Sequence, residues 1–113
     1  MSDTQTAADS LHPRRPIMVV DDEEAILLAV DTTLRMAGVS NIITCGDSRR
    51  VLGILEEQHI ELMLLDLNMP HLHGERLLDT INRDYPDIPV IIVTGAVDVE
   101  TAVRCIKAGA FDY

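Results

Sequence analysis

Three short apolar runs constrain the fold of this chain most, because each stops abruptly at residues with side-chain oxygens. The runs and the residues that end them are residues 17–20 before Asp21 and Asp22, residues 62–65 before Asp66, and residues 90–93 before Thr94. Uncharged apolar runs of this length are typical of strands buried on both faces, as in a parallel sheet. The sequence therefore predicts parallel strands that end in three carboxylates and a hydroxyl.

An amphipathic helix is predicted after the first run. Four apolar residues recur there at helical spacing: Leu27, Val30, Leu34 and Ala37. Their steps of three, four and three place them on one face of a helix. Glu23 and Glu24 are interpreted as acidic residues that favour the helix N-terminus, and Gly38 as the residue that ends the helix.

Strands and helices continue to alternate along the rest of the chain. The further predicted elements are a strand at 41–45, a helix at about 47–58 capped by Asp47 or Ser48, a third helix with Leu78, Ile81 and Tyr85, and a fourth with Val99, Ala102, Val103 and Ile106. Pro86 and Pro89 end the third helix before the strand at 90–93. This alternation predicts an α/β fold, a doubly wound open parallel sheet with strand order 2-1-3-4-5.

Length and charge narrow the class of protein further. The chain has 113 residues, which suits one domain with one site; we expect residues 1–16 to be a flexible tail and residues 17–113 to form the domain. With 9 basic against 19 acidic residues the net charge is −10, which disfavours direct binding to nucleic acid. No segment has the apolar length of a signal peptide or a membrane span, so a cytoplasmic protein without a membrane partner is expected.

Cysteine and histidine provide no pattern that indicates a metal or redox site. Cys45 and Cys105 lie far apart without CxxC or histidine-rich spacing, so they are expected to be ordinary small apolar residues in a reduced compartment. The four histidines are scattered and are interpreted as solvated residues: His12, His59, His71 and His73.

The ends of the predicted strands indicate a candidate site. In open α/β sheets ligands bind beyond the carboxyl ends of the strands, where Asp21, Asp22, Asp66 and Thr94 are expected to converge. Converging carboxylates repel one another unless they share a cation, and a set of oxygen ligands favours Mg²⁺. A carboxylate beside such a cation can attack phosphorus and form an acyl phosphate, while Thr94 donates a hydrogen bond to the phosphoryl group.

Four segments of the chain resemble the receiver domains of two-component response regulators, in the same order and at the same spacing. The segments are residues 19–23, residues 65–70 with Gly74, residues 93–95 and residues 107–113. The resemblance runs from Ile17 to Tyr113 and implies a flavodoxin-like, CheY-like fold. The ending at residues 108–113 resembles receivers attached to transcriptional activators, notably sigma-54-dependent ones.

The resemblance implies a role for each matched residue. Asp66 is expected to accept a phosphoryl group from a sensor histidine kinase, and Asp21, Asp22, Asp66 and the backbone carbonyl of Asn68 to surround Mg²⁺. Thr94 is expected to move toward the phosphoryl group, and Tyr113 to be the aromatic switch residue that follows it. Such a domain catalyses only its own phosphorylation and dephosphorylation. Its fourth helix and fifth strand would control an effector domain or self-association.

The C-terminal end departs from the family pattern. Receivers continue past the aromatic residue with a lysine, a proline and a fifth helix, and none of these follows Tyr113. We therefore expect a receiver domain whose fifth strand and fifth helix are truncated, either as a fragment of a longer regulator or because the sequence stops early.

Three alternatives remain open. A haloacid-dehalogenase-like phosphatase also uses an aspartyl nucleophile, but it needs a second acid where this chain has Asn68. A nucleotide-binding or flavin-binding module would need a glycine-rich motif after the first strand, and none is present. The third alternative is a receiver-like interaction module that is not phosphorylated.

Overall fold

The computed structural model describes residues 14–66 and 74–93. The elements in chain order are β1 (Ile17–Val20), α1 (Glu24–Met36), β2 (Ile42–Cys45), a 3₁₀ turn (Ser48–Arg50), α2 (Val51–Glu57), β3 (Leu62–Leu65), α3 (Gly74–Asp84) and β4 (Val90–Ile92). The predicted fourth helix and fifth strand lie outside these residues, as do most of the predicted N-terminal tail and the loop after Asp66. Within the described ranges, no helix is long and apolar enough to cross a membrane.

The four strands form one parallel sheet in the order β2-β1-β3-β4. β1 lies between β2 and β3, so Val20 is opposite both Cys45 and Leu65. Leu65 is in turn opposite Ile92. The predicted α/β class and the order of the first four strands are therefore confirmed.

Alternate residues of the strands enter two apolar cores, one on each face of the sheet. On one face Ile17 and Val19 of β1 pack in the same cluster as the buried residues of α1. On the other face Met18 and Val20 pack with α2 and α3. Because both faces of β1 and β3 are covered, these strands are wholly buried and carry no polar side chain.

The end of α1 is set by the local sequence around Gly38. Gly38 has φ 89°, a left-handed conformation that glycine adopts without steric cost. The Val39 N–H then donates to the Leu34 carbonyl at 2.8 Å, and both side chains are buried in one core cluster. This closure ends the helix after Met36 and turns the chain toward β2, as the glycine predicted.

Two element starts differ from the predictions. Asn41 has φ 62°, so β2 begins at residue 42 instead of 41. The second predicted helix starts as a 3₁₀ turn. Its predicted cap, Asp47 or Ser48, is confirmed as Asp47, whose side chain accepts from the Arg49 N–H at 2.9 Å. Ser48 is buried instead, and its Oγ has no hydrogen-bond partner in the part of the chain that the structure describes.

The buried face of α3 is shifted from the predicted one. Leu77 and Ile81 are its buried residues, whereas Leu78 and Tyr85 only pack partly against the same cluster. Leu77 was missed because two adjacent leucines, 77 and 78, both fit the helical repeat.

Substitution by alanine is expected to change stability in opposite directions at two glycines, Gly38 after the end of α1 and Gly53 inside α2. Gly53 lies inside α2, and a Cβ there meets no atom within 4 Å. Gly53→Ala should raise the free energy of unfolding by about 0.5–1 kcal/mol, because alanine loses less backbone entropy in a helix. Gly38→Ala should lower it by about 1 kcal/mol, because its φ is left-handed. Urea unfolding of both variants tests this pair, and equal shifts in the same direction would contradict it.

Candidate metal centre

Backbone hydrogen bonds of the sheet place two aspartates at the same end of the parallel strands. The Asp21 N–H donates to the Cys45 carbonyl at 3.2 Å, and the Asp66 N–H donates to the Val20 carbonyl at 3.0 Å. Because Val20 and Leu65 are paired, Asp21 and Asp66 are each one residue beyond a matched position. The parallel register therefore places them side by side at the carboxyl ends of β1 and β3.

Asp22 joins these two residues in one cluster. Carboxylate oxygens of Asp21, Asp22 and Asp66 all lie within 4.8 Å of one another. Asp21 is 8% exposed, Asp66 is half-buried and Asp22 is exposed. The cluster thus has a buried base and an open side toward solvent.

The backbone before α1 fixes the orientation of Asp21. The Glu23 N–H donates to Asp21 Oδ1 at 2.9 Å, which is an Asx-type turn at the entry to the helix. Glu23 occupies the N-cap position of α1, but its side chain makes no capping hydrogen bond. The main chain of Glu23 therefore contributes to the cluster, which the interpretation of Glu23 as a favourable acidic charge had missed. An Asp two residues before the N-cap position of a helix is the signal for such a turn.

Burial and like charge act together on Asp21. The pKa of Asp21 is raised from 3.8 to about 6; burial is the largest cause, and the negative charges of Asp66, Asp22 and Glu23 add to the increase. The hydrogen bond from the Glu23 N–H lowers the pKa and offsets part of this effect. The cluster is therefore electrostatically unfavourable when it holds three negative charges and no cation.

The donor set fits a hard divalent cation. Three carboxylates supply oxygen ligands only, with neither imidazole nor thiolate in the cluster, which is the chemistry that Mg²⁺ prefers. Mg²⁺ retains several waters, and the exposed side of the cluster leaves room for them. The acidic cluster is thus compatible with a Mg²⁺ site.

The remaining predicted site residues divide into two groups. Thr94, Asn68 and Tyr113 lie outside the described residues, as do His12, His71, His73 and Cys105. His59 is exposed and lies before the amino end of β3, whereas the cluster lies beyond the carboxyl ends of the strands. Cys45 is buried and its thiol donates to the Asp47 carbonyl at 3.1 Å.

Comparisons with known proteins agree with the fold. The family model of the response regulator receiver domain matches residues 17–113. A response regulator of Rickettsia felis described as NtrX-like is 37% identical over 99 residues, which cover 86% of this chain and 21% of that protein. The transcriptional regulator named ycf27 of Porphyridium aerugineum is 32% identical over 100 residues, which cover 88% of this chain and 41% of that protein.

Solved structures give the same result. The crystal structure of a CheY-like response regulator receiver domain protein from Methanospirillum hungatei has a TM-score of 0.65 and 29% identity, with 88% of this chain and 77% of that chain covered. A receiver domain protein from Clostridium thermocellum has a TM-score of 0.64 and 33% identity, with 84% and 76% covered. The chain therefore spans about a fifth to two fifths of the curated relatives, but most of each receiver structure.

The raised pKa of Asp21 predicts that folding stability depends on pH when no divalent cation is bound. The folded protein holds the Asp21 proton more tightly than the unfolded chain, whose pKa is 3.8. This stabilising contribution is complete below a pH of 3.8 and is lost as the pH rises through about 6. One pKa unit corresponds to about 1.4 kcal/mol. Allowing for solvent screening, the free energy of unfolding should therefore fall by about 1–3 kcal/mol as the pH rises.

Urea unfolding in EDTA at a series of pH values measures this effect. Asp21→Asn should flatten the slope over this pH range and be more stable than the parent near neutral pH, because the repelling carboxylate is gone. Asp79→Asn, which removes an exposed carboxylate on α3, is the matched control and should keep the parent slope. A slope that survives in Asp21→Asn would assign the effect to other groups.

Proposed function

Because this chain belongs to the response regulator receiver domain family, we propose that it is a signalling domain in which Asp66 accepts a phosphoryl group from a sensor histidine kinase. The observation that carries the proposal is the position of Asp66 at the end of β3, half-buried, with the oxygens of Asp21 and Asp22 within 4.8 Å. A nucleophilic carboxylate needs both access to its phosphoryl donor and nearby groups that hold a cation, and Asp66 has both.

The transfer forms one bond and breaks one. An Asp66 carboxylate oxygen bonds to phosphorus as the P–N bond to the kinase histidine breaks, and the histidine nitrogen keeps the bonding electron pair. The product is an acyl phosphate on Asp66. Asn68 stands two residues after Asp66, where an aspartyl phosphatase needs its second acid, and this supports a domain that catalyses only its own phosphorylation and dephosphorylation.

Asp21 and Asp22 are proposed to hold Mg²⁺ together with Asp66 and the backbone carbonyl of Asn68. Asp21 is suited to this role because the Glu23 N–H fixes one of its oxygens and burial limits its motion. When bound, Mg²⁺ would neutralise charge on the phosphoryl oxygens. The same cation relieves the repulsion among the three carboxylates, so metal binding and phosphoryl acceptance draw on the same residues.

The output is proposed to follow the two-state behaviour of the family. Thr94 donates a hydrogen bond to the phosphoryl group, and Tyr113 changes rotamer with it. The fourth helix and fifth strand then control an effector domain or self-association. The N–H of Val93, the residue before Thr94, donates to the carbonyl of Leu65, the residue before Asp66, at 3.0 Å, and this hydrogen bond supports the proposed role of Thr94.

The wider biological role is a proposal from the relatives. They are longer than this chain and include proteins named as response regulators and as transcriptional regulators. We propose a cytoplasmic regulator in which residues 1–16 are a tail, residues 17–113 receive the signal and an effector domain acts on transcription. The net charge of −10 supports assigning nucleic-acid contacts to a different domain.

Phosphoryl transfer to Asp66 is testable with a small donor. Incubation with acetyl phosphate and Mg²⁺ should add one phosphoryl group per chain, measured by intact-protein mass spectrometry. Asp66→Asn should lose this label completely because the amide is not a nucleophile, and EDTA should reduce it strongly because the cation is removed. Asp79→Asn is the matched control and should label like the parent.

Other outcomes of this experiment favour the alternative functions. A label that persists in Asp66→Asn would place the acceptor elsewhere. An unlabelled parent whose amide spectrum does not respond to BeF₃⁻ with Mg²⁺ would indicate an interaction module without phosphorylation. Continuous phosphate release from a generic ester would indicate a phosphatase.

Mg²⁺ is expected to stabilise the folded protein through the carboxylate cluster. At a concentration about a hundred times its Kd, Mg²⁺ should raise the free energy of unfolding by about 2.7 kcal/mol and should also raise the Tm. Asp21→Asn and Asp66→Asn should each lose most of this gain, whereas Asp79→Asn should keep it. Thermal unfolding with and without Mg²⁺ measures the difference, and equal gains in all four proteins would refute the site.

A further inference from the structure

A groove of about 680 Å³ runs between α1 and the outer edge of β2, and among its described lining residues Asp22 is the one that the proposed phosphoryl transfer also uses. Its principal lining residues are Asp22, Glu24, Leu28, Asp31, Ile42 and Thr44. The groove therefore joins a helix face to a strand edge, and at one end it reaches the carboxylate cluster through Asp22.

The base of the groove is apolar. Leu27 is buried beneath it, Ile42 is half-buried against the same core cluster, and Leu28 is 66% exposed along its side. An exposed leucine on its own is ordinary on a protein surface. Next to Ile42 and above Leu27, however, it extends the apolar core to the surface, where a partner side chain can be buried.

The rim of the groove is acidic. Asp22, Glu24 and Asp31 line it together with one cation, Arg35. Arg35 Nε pairs with Asp31 Oδ1 at 3.1 Å, which leaves the charges of Asp22 and Glu24 for other partners. A cationic side chain is therefore the complementary ligand for this rim.

The edge of β2 offers backbone hydrogen-bonding groups to the same groove. The carbonyls of Asn41 and Cys45 point toward β1, where they accept from Ile17 and Asp21. Because successive residues of a strand alternate in this direction, the N–H and carbonyl groups of residues 42 and 44 point away from β1. Among the described strands, none pairs with this outer edge of β2.

We propose that this groove docks an extended segment of a partner protein in which every second residue faces the groove, and in which these residues are apolar and are followed by a lysine or arginine. The segment adds to the edge of β2 through its backbone, places the apolar residues of that face against Leu28 and Ile42, and places the cation of the same face beside Asp22 and Glu24. A second copy of this chain is a poor occupant, because a net charge of −10 on each copy opposes association at an acidic groove.

The probe for this proposal is a short synthetic peptide in which valine, valine and lysine occupy successive alternate positions, with threonine between them. Fluorescence anisotropy with the full chain should show saturable binding, and amide NMR should show shifts concentrated at residues 42 and 44 and along α1. A peptide with glutamate in place of lysine should not bind. Methylation of the peptide's alternate backbone nitrogens should weaken binding about tenfold or more, because strand addition needs those donors.

Two matched pairs of variants separate the groove from the rest of the surface. Leu28→Ser should weaken binding about tenfold through lost apolar burial, whereas Met36→Ser should not; Met36 is on the same helix, 84% exposed and outside the groove. Glu24→Gln should weaken binding several-fold, whereas Glu57→Gln, at an exposed acid on α2, should not. Asp66 does not line the groove, so Asp66→Asn, measured in EDTA, should retain the peptide binding that Leu28→Ser loses, and this proposal and the phosphoryl-acceptor proposal therefore fail independently.

Three results would overturn the docking proposal. Equal losses of peptide affinity in Glu24→Gln and Glu57→Gln would show that only the overall negative charge of the protein attracts the peptide. Equal binding of the methylated and unmethylated peptides would exclude strand addition. Dimerisation of the protein alone, abolished by Leu28→Ser, would identify a second copy as the occupant.

Discussion

The parallel register between β1 and β3 is the constraint on which the candidate site depends. Since Val20 and Leu65 are paired, the next residue of each strand must emerge at the same edge, and both of these residues are aspartates. The two carboxylates have no freedom to separate unless the strands slip, and a slip of one residue would exchange the faces of every buried side chain. The two apolar cores therefore hold the repelling charges together.

This arrangement accounts for the different exposure of the three neighbouring carboxylates. Asp21 continues the line of buried β1, where burial and the neighbouring negative charges together raise its pKa to about 6, although the hydrogen bond that it accepts from the Glu23 N–H lowers it. Asp22 follows it toward solvent and is exposed. Asp66 lies between these extremes and is half-buried. The carboxyl ends of β1 and β3 thus present three neighbouring carboxylates that differ in exposure.

The strands and the cluster could be predicted closely because an uncharged apolar run of four residues that ends at Asp is typical of a buried parallel strand. β1 and β3 have the predicted limits, and the aspartates that end them lie together. The start of β2 was wrong by one residue because the left-handed Asn41 terminates the strand through its backbone, which hydrophobicity does not encode. The choice of Asp47 over Ser48 as a cap depends on which side chain faces the core, a tertiary effect. For the same reason, the sequence did not show that Asp21 is buried while Asp22 is exposed.

Helix α1 connects the carboxylate cluster to the groove beside β2. Its buried face secures it to the sheet, the Glu23 N–H at its start orients Asp21, and its outer face carries Leu28 into the groove. Asp22 belongs to both sites, because it contributes an oxygen to the cluster and also lines the groove. A cation in either site lowers the negative charge available to the other, so occupancy of one weakens binding at the other by the same factor in both directions. Sharing one carboxylate therefore couples the two sites without any movement of the fold.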